Sequence, residues 1–190
     1  MKRDWKTFYY LLFIVFFLLL SYSPTSGAEI TVLEITIKND ELFVTTSLSL
    51  EEKYLQELRN GIVKEFIFYI DLFKVWNMWP DEFVLGKSFT RTLRCDPVKD
   101  KFTATSDDGS TIIKKRFKSF ESMTQWALSI NDLNLTNTKE LEPGAYFVKV
   151  TVESKIRKLP PVIGYFLIFL PENEFKVTKD SPYFTIGVAG

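Results

Sequence analysis

Gly144-Ala145-Tyr146-Phe147-Val148-Lys149-Val150-Thr151-Val152-Glu153-Ser154-Lys155, following Pro143, is the clearest strand in the chain. Tyr146, Val148, Val150 and Val152 alternate with Lys149, Thr151, Glu153 and Lys155, and Ile156 extends the apolar series. A period of two, rich in β-branched residues, marks a half-buried strand. The neighbouring sequence repeats the signal. Upstream, Ile62 to Trp76 is apolar, with Phe66, Phe68, Ile70 and Leu72 on one face and Glu65, Tyr69 and Asp71 on the other. Trp79-Pro80-Asp81 breaks it, and Phe83 to Cys95 places Phe89, Leu93 and Cys95 inward against Ser88, Thr90, Thr92 and Arg94. Lys101–Ser106 and Thr111–Phe117 flank Asp107-Asp108-Gly109-Ser110, a sharp turn.

Near the start, Leu33, Ile35 and Ile37 alternate, Asn39-Asp40 punctuates, and Leu42, Val44, Thr46 and Leu48 alternate again, which predicts a hairpin. Ser49-Leu50-Glu51-Glu52 reads as a capping box opening a short helix with Leu50, Tyr54 and Leu58 on one side. Gly61 then falls where a helix end takes positive φ. Ser119 is expected to cap a second helix over Phe120–Ile130, with Phe120, Met123, Ala127 and Ile130 facing one way. Downstream, Val162–Leu170, Phe175–Val177 and Tyr183–Ile186 read as closing strands. The expectation is a mainly β fold, a sandwich or barrel-like set of 8–10 antiparallel strands with two short helices.

The first 28 residues read as an address. Lys2, Arg3 and Lys6 precede an uncharged apolar run from Phe8 to Leu20, and Ser26-Gly27-Ala28 offers the small residues of a cleavage site. Thirteen apolar residues fall short of the ~17–25 that cross a bilayer as a helix. Stretched over residues 5–22, with Trp5 and Tyr22 at its ends, the segment is of marginal length for an anchor. Residues 1–28 are therefore expected to be a signal peptide or N-terminal membrane anchor, and residues 29–190 a single β-rich domain. Either way that domain is exported across the cytoplasmic membrane, periplasmic or tethered there by its N-terminus. An exposed thiol is a liability in an oxidising compartment, so the lone Cys95 is expected to be buried.

Composition excludes a good deal. The 190 residues contain no His and one Cys, which removes imidazole acid–base chemistry, His-ligated zinc and any internal disulfide. Lys+Arg and Asp+Glu are both 24, and residues 29–190 hold 21 basic and 23 acidic groups. That balance is unlike the basic surplus of a nucleic-acid binder. No phosphate loop, Gly-x-Gly-x-x-Gly, Ser-x-x-Lys or Gly-x-Ser-x-Gly occurs. No cofactor, metal or catalytic residue is assigned.

Several segments together resemble the bacterial domain-of-unknown-function family 4390. They are Gly61-Ile62 through Phe66-Ile67-Phe68-Tyr69-Ile70, Trp79-Pro80-Asp81, Leu93-Arg94-Cys95-Asp96, Lys101-Phe102, Ser119-Phe120-Glu121-Ser122, Leu141-Glu142-Pro143-Gly144-Ala145-Tyr146 and Leu159-Pro160. The likeness covers nearly all of residues 30–190. It implies an exported envelope domain and carries over no catalytic residue.

Three features invite a functional reading. Trp76, Met78 and Trp79 crowd a loop beside Pro80, which either caps the sheets or presents an apolar docking point. Lys114, Lys115 and Arg116, joined in space by Lys155, Arg157 and Lys158, would form a cationic patch; spread along edge strands they would merely discourage aggregation. The acidic pairs Glu51-Glu52, Asp107-Asp108 and Glu172/Glu174 belong to turns and helix starts. Three functions are weighed. The leading one is a non-catalytic module that binds an envelope protein or an apolar or anionic ligand. The second is a membrane-anchored partner of an envelope sensor or assembly system. The third is a carboxylate-using hydrolase, which would need a cleft gathering two acids, or Ser with Lys.

Overall fold

A computed structural model of the chain describes residues 27–155 and 173–187. In chain order these are β1 (Ala28–Lys38), β2 (Glu41–Leu50), α1 (Glu52–Arg59), β3 (Lys64–Lys74), β4 (Glu82–Asp96), β5 (Lys101–Asp107), β6 (Ile112–Phe117), α2 (Phe120–Ala127), β7 (Ser129–Asn137), β8 (Gly144–Lys155), β9 (Asn173–Asp180) and β10 (Phe184–Ile186). A 3₁₀ turn, Thr138–Glu140, links β7 to β8. The strands form two antiparallel sheets. The smaller has the order β1-β2-β7, and the larger runs β10-β8-β3-β4-β5-β6, with β9 on the same flank of β8 as β10. The fold is mainly β, as the alternation predicts. The leader and Val162–Leu170, with Arg157 and Lys158, lie outside the described residues.

The inward faces of the two sheets make one core. Phe66, Phe68, Ile70 and Leu72 of β3 and Val148, Val150 and Val152 of β8 lose all contact with solvent. They pack with Leu42 and Val44 of β2 in the facing sheet. Each such side chain contributes about 1.5–3 kcal/mol through its removal from water, which is why the period-two pattern predicts this layer so well. The Asn39-Asp40 turn forms with both residues at positive φ, 52° and 63°, the conformation a two-residue hairpin needs.

Both helices carry the chain from one sheet to the other and lie side by side across one end of the sandwich. The Arg59 guanidinium of α1 sits 4.1 Å over the Phe120 ring of α2. Leu58, Phe120, Met123 and Ala127 turn inward and close that end. The first capping box does not form. Ser49 and Leu50 extend β2, paired with Glu29 and Ala28, and Glu51 stands at the helix start with no side-chain cap. Sheet pairing takes the backbone that the box would have used. At α2 the Ser119 hydroxyl does accept from the Ser122 amide, completing a capping box.

The second helix ends at Ala127 rather than Ile130, and a strand follows that alternation does not reveal. β7 is bulged twice against β2. Asn131 and Asp132 together oppose Thr45, with Asp132 at φ 47° and its amide donating to the Thr45 hydroxyl at 3.1 Å. Leu135 is inserted between the pairs Phe43/Asn134 and Leu42/Thr136. Each extra residue flips the alternation, so Ile130, Leu133 and Leu135 all serve the core although no single period connects them.

Candidate functional site

β3 and β4 run between the helix-capped end and an opposite, open end, where Val75–Asp81 joins them. The Thr138–Pro143 connection and the Asn39-Asp40 turn gather at the same place, with the Thr138 amide donating to the Asp40 carbonyl at 2.7 Å. The base of the β3–β4 loop is fixed by polar contacts. Lys74, buried at the strand end, bonds Glu142, and that carboxylate holds its proton affinity above the ordinary lysine value. The same ammonium lies 4.8 Å over the Trp76 ring, whose indole N–H donates to Glu82 at 3.1 Å. Tyr146 donates its hydroxyl to the Glu142 carbonyl at 2.6 Å. A cleft of about 240 Å³ opens here, lined by Lys74, Glu82, Phe83, Leu141, Glu142 and Tyr146.

The loop does not cap the core. Trp76 is 45% exposed, Trp79 77% and Met78 91%. Phe83 is also exposed and begins a row of rings across the outer face of the larger sheet. It meets Phe73 edge-on at 5.8 Å, Phe73 stacks on Phe147 at 5.3 Å, and Phe147 meets the exposed Tyr183 at 5.7 Å. Lys149 lies 4.9 Å over Phe73. The open end thus presents Trp76, Met78, Trp79, Phe83 and Tyr183 on a base held by ion pairs. Phe83 and Tyr183 escape a reading by sequence, because what joins them to the loop is register across three strands.

Among the described residues Lys155 is not brought to Lys114, Lys115 and Arg116. Lys114, Lys115 and Arg116 occupy β6, the edge of the larger sheet. Alternation turns Lys114 and Arg116 outward and Lys115 inward, with its ammonium 4.8 Å from the Trp126 ring. Lys155 stands in the same cross-strand row as Lys114, through Glu65, Thr92 and Thr105, but four strands away. At ~4.8 Å per strand that is about 19 Å. The pattern is that of lysines guarding a sheet edge. Asp107 and Asp108 serve the β5–β6 turn, their carboxylates accepting from the amides of Gly109, Ser110 and Thr111. Among the described residues no group of three or more His, Cys, Asp or Glu is placed to hold a metal ion.

Besides Lys74, two more inward-facing cations are not anticipated by composition. The Lys64 side chain is 3% exposed, and its ammonium bonds Glu57 of α1 at 2.5 Å and both oxygens of Glu174 of β9 at 2.9 Å. Ser154, itself fully buried, donates to Glu174 at 3.0 Å. Burial opposes the charge on Lys64, but the bonds to the two carboxylates outweigh it and raise its proton affinity. This cluster gathers the lysine, serine and paired acids a hydrolase would want. A lysine held protonated is no base, however, and the serine is closed to solvent. Arg91 is the second cation. It falls in the inward series between Phe89 and Leu93, is 8% exposed, and stacks 4.3 Å over the Trp126 ring. Burial lowers its proton affinity from the ordinary value, while the guanidinium remains charged. Cys95, on the same face, is buried and free, and desolvation raises its thiol pKa.

Two antiparallel sheets with one end sealed by helices and the other carrying exposed rings define a β-sandwich domain with an apolar tip. The chain belongs to the family described as Domain of unknown function (DUF4390), whose model matches residues 25–181. No curated protein and no solved structure matches the chain.

Proposed function

We propose that residues 29–190 form an exported, non-catalytic envelope module that acts by binding a protein partner through the open end of the sandwich. The observation that carries this reading is the exposure of Met78 and Trp79 on a loop whose base is pinned by Lys74, Glu142 and Glu82. Large apolar side chains held out in water on a loop with a pinned base, next to further exposed rings, are the composition of a docking surface. The leader-like segment before residue 29 supports an envelope location. Among the described residues no helix is long and apolar enough to cross a membrane.

The test is co-purification from membranes of the native chain and of a Trp76→Ala/Trp79→Ala variant, each checked for cooperative unfolding. The reading requires at least one partner to be lost with the rings. An unchanged partner profile from a folded variant rejects the loop as a contact.

One observation favours a tethered form over a released one. The Gly27 carbonyl accepts from the Glu51 amide at 3.1 Å, and Ala28 is buried as the first rung of β1, opposite Leu50. A cut after Ala28 would remove that rung. Retention of the leader would make the domain a membrane-anchored partner of an envelope sensor or assembly system. N-terminal sequencing of the envelope protein decides: an intact Met1 or Lys2 supports the tether, and a start at Glu29 supports release.

A further inference from the structure

Among the described residues no ladder joins the two sheets, and β7 is an edge strand of the smaller one. A polar link joins β4 to β7, the Lys87 ammonium donating to the Asn134 carbonyl at 2.7 Å. Beside it lies a cleft of about 500 Å³ lined by Phe89 and Arg91 of β4, Trp126 of α2 and Ser129–Asn134 of β7. That volume is within the ~300–1,000 Å³ of small-molecule sites. Arg91 is more than nine-tenths buried, yet neither Nε nor Nη1 has a hydrogen-bond partner among the described residues. Among the described residues no carboxylate bonds Arg91, in contrast to Lys64, which collects two acids.

A buried guanidinium with unpaired N–H groups is expensive, and stacking on Trp126 offsets only part of the cost. Such a group calls for an acceptor, supplied by an ordered water or by a ligand that reaches it from the cleft. The charge around the cleft says which kind. Arg91, Lys115 over the same Trp126 ring, and Lys87 at the rim bring three cations, against Asp132 in the lining and Glu41, which accepts from the Asn134 side chain at the rim at 2.8 Å. Phe89, Trp126, Ile130 and Leu133 supply apolar walls. A planar guanidinium pairs best with a planar carboxylate, and apolar walls favour an acid with an apolar body over a fully hydrated inorganic anion.

We infer that the β4–β7 cleft is a binding site for a small amphiphilic carboxylic acid, its carboxylate received by Arg91 against Trp126 and its apolar body by Phe89, Ile130 and Leu133. The site is separate from the loop at the open end. It stands or falls independently of that docking surface. The bulge at Asn131 and Asp132, which together oppose Thr45 of β2, forms part of its β7 wall.

The experiment is an NMR titration of the ¹⁵N-labelled full chain with 3-phenylpropionate, reading the Trp126 indole N–H and the Arg91 Nε–H. 3-Phenylpropionamide and inorganic phosphate serve as parallel arms. Saturable shifts at both groups are expected from the carboxylate, with affinity for the amide lower by about ten- to a hundredfold, the worth of one charge-assisted hydrogen bond. Arg91→Met should abolish the response while remaining folded, because it removes an unpaired charge, and Arg91→Lys should weaken it. The inference is overturned if the carboxylate gives no saturable shift in the native chain, or if the amide binds as well. A response to phosphate alone, or one that survives Arg91→Met, overturns it equally.

Discussion

Lys64 and Arg91 occupy equivalent positions, each an inward-facing cation on a central strand, and they meet different fates. Lys64 is neutralised twice over by Glu57 and Glu174, and Ser154 fills a further acceptor site on Glu174. Removing one partner leaves a buried charge undercompensated, so Glu174→Ala should cost about 1–3 kcal/mol by urea unfolding with an unchanged slope. A loss within error would show that the pair is screened by water. The cluster also sets a pH dependence. The native ammonium holds its proton above the ordinary value of 10.5, so its contribution is complete below that value and declines as pH rises through the higher native one. The stability difference between the native chain and Lys64→Met should therefore be the same at about pH 8 as at neutrality and smaller at about pH 11.5. A difference that grows with alkali would reverse the assignment. Both cations sit at positions of the correct parity for the core. A reading by polarity leaves Lys64 out of the inward face of its strand and passes over Arg91, because a charge is expected to face water until a partner or a ring is seen to hold it.

At the scale of elements, the turn residues and bulges decide how strands meet. Asn39 and Asp40 accept left-handed backbone more readily than other residues with a side chain, and they set the β1–β2 register that sends Leu42, Val44 and Leu48 inward. A β-branched residue there pays the full steric penalty, so Asn39→Val should lower stability by about 1–2 kcal/mol. Retention of the native midpoint would mean the hairpin is held by pairing alone. In the β3 core layer the same strand logic is enforced by burial. Phe68→Ala, at a position with no exposure, should cost about 3–5 kcal/mol in the same assay. The β1–β2 hairpin, the β3 and β8 strands and the β5–β6 turn are legible because one period persists through each. β7 is not, because two bulges break its period and Asn131, Asp132 and Asn134 carry loop chemistry. The helix at Ser49 is misplaced for a related reason. The hydroxyl pattern of a capping box is local, and pairing of Ser49 with Glu29 is not.

For the whole molecule, the division of the ends matters most. Helices α1 and α2 bury their apolar faces at one end, and the exposed rings gather at the other. Because Met78 and Trp79 contact little of the core, Met78→Ser/Trp79→Ser should leave the unfolding free energy within about 0.5 kcal/mol. The same change should reduce self-association at high concentration, measured by light scattering, since it removes the two most exposed apolar side chains of the tip. A large loss of stability would mean that the loop packs on the sandwich after all.

What the amino-acid order determined unaided is whatever depends on neighbours a few residues apart: the β class, the strands of constant period, the turns at Asn39-Asp40 and Asp107–Ser110, and the burial of Cys95. Crowding of Trp76, Met78 and Trp79 in a loop was also visible, but not whether the loop covers the core. Only the tertiary structure settled that exposure, separated Lys114 from Lys155 by four strands, and set Arg91 on Trp126 beside a cleft. Those features arise from register and from sheets facing one another, which are contacts between residues far apart in the chain, and no local period encodes them.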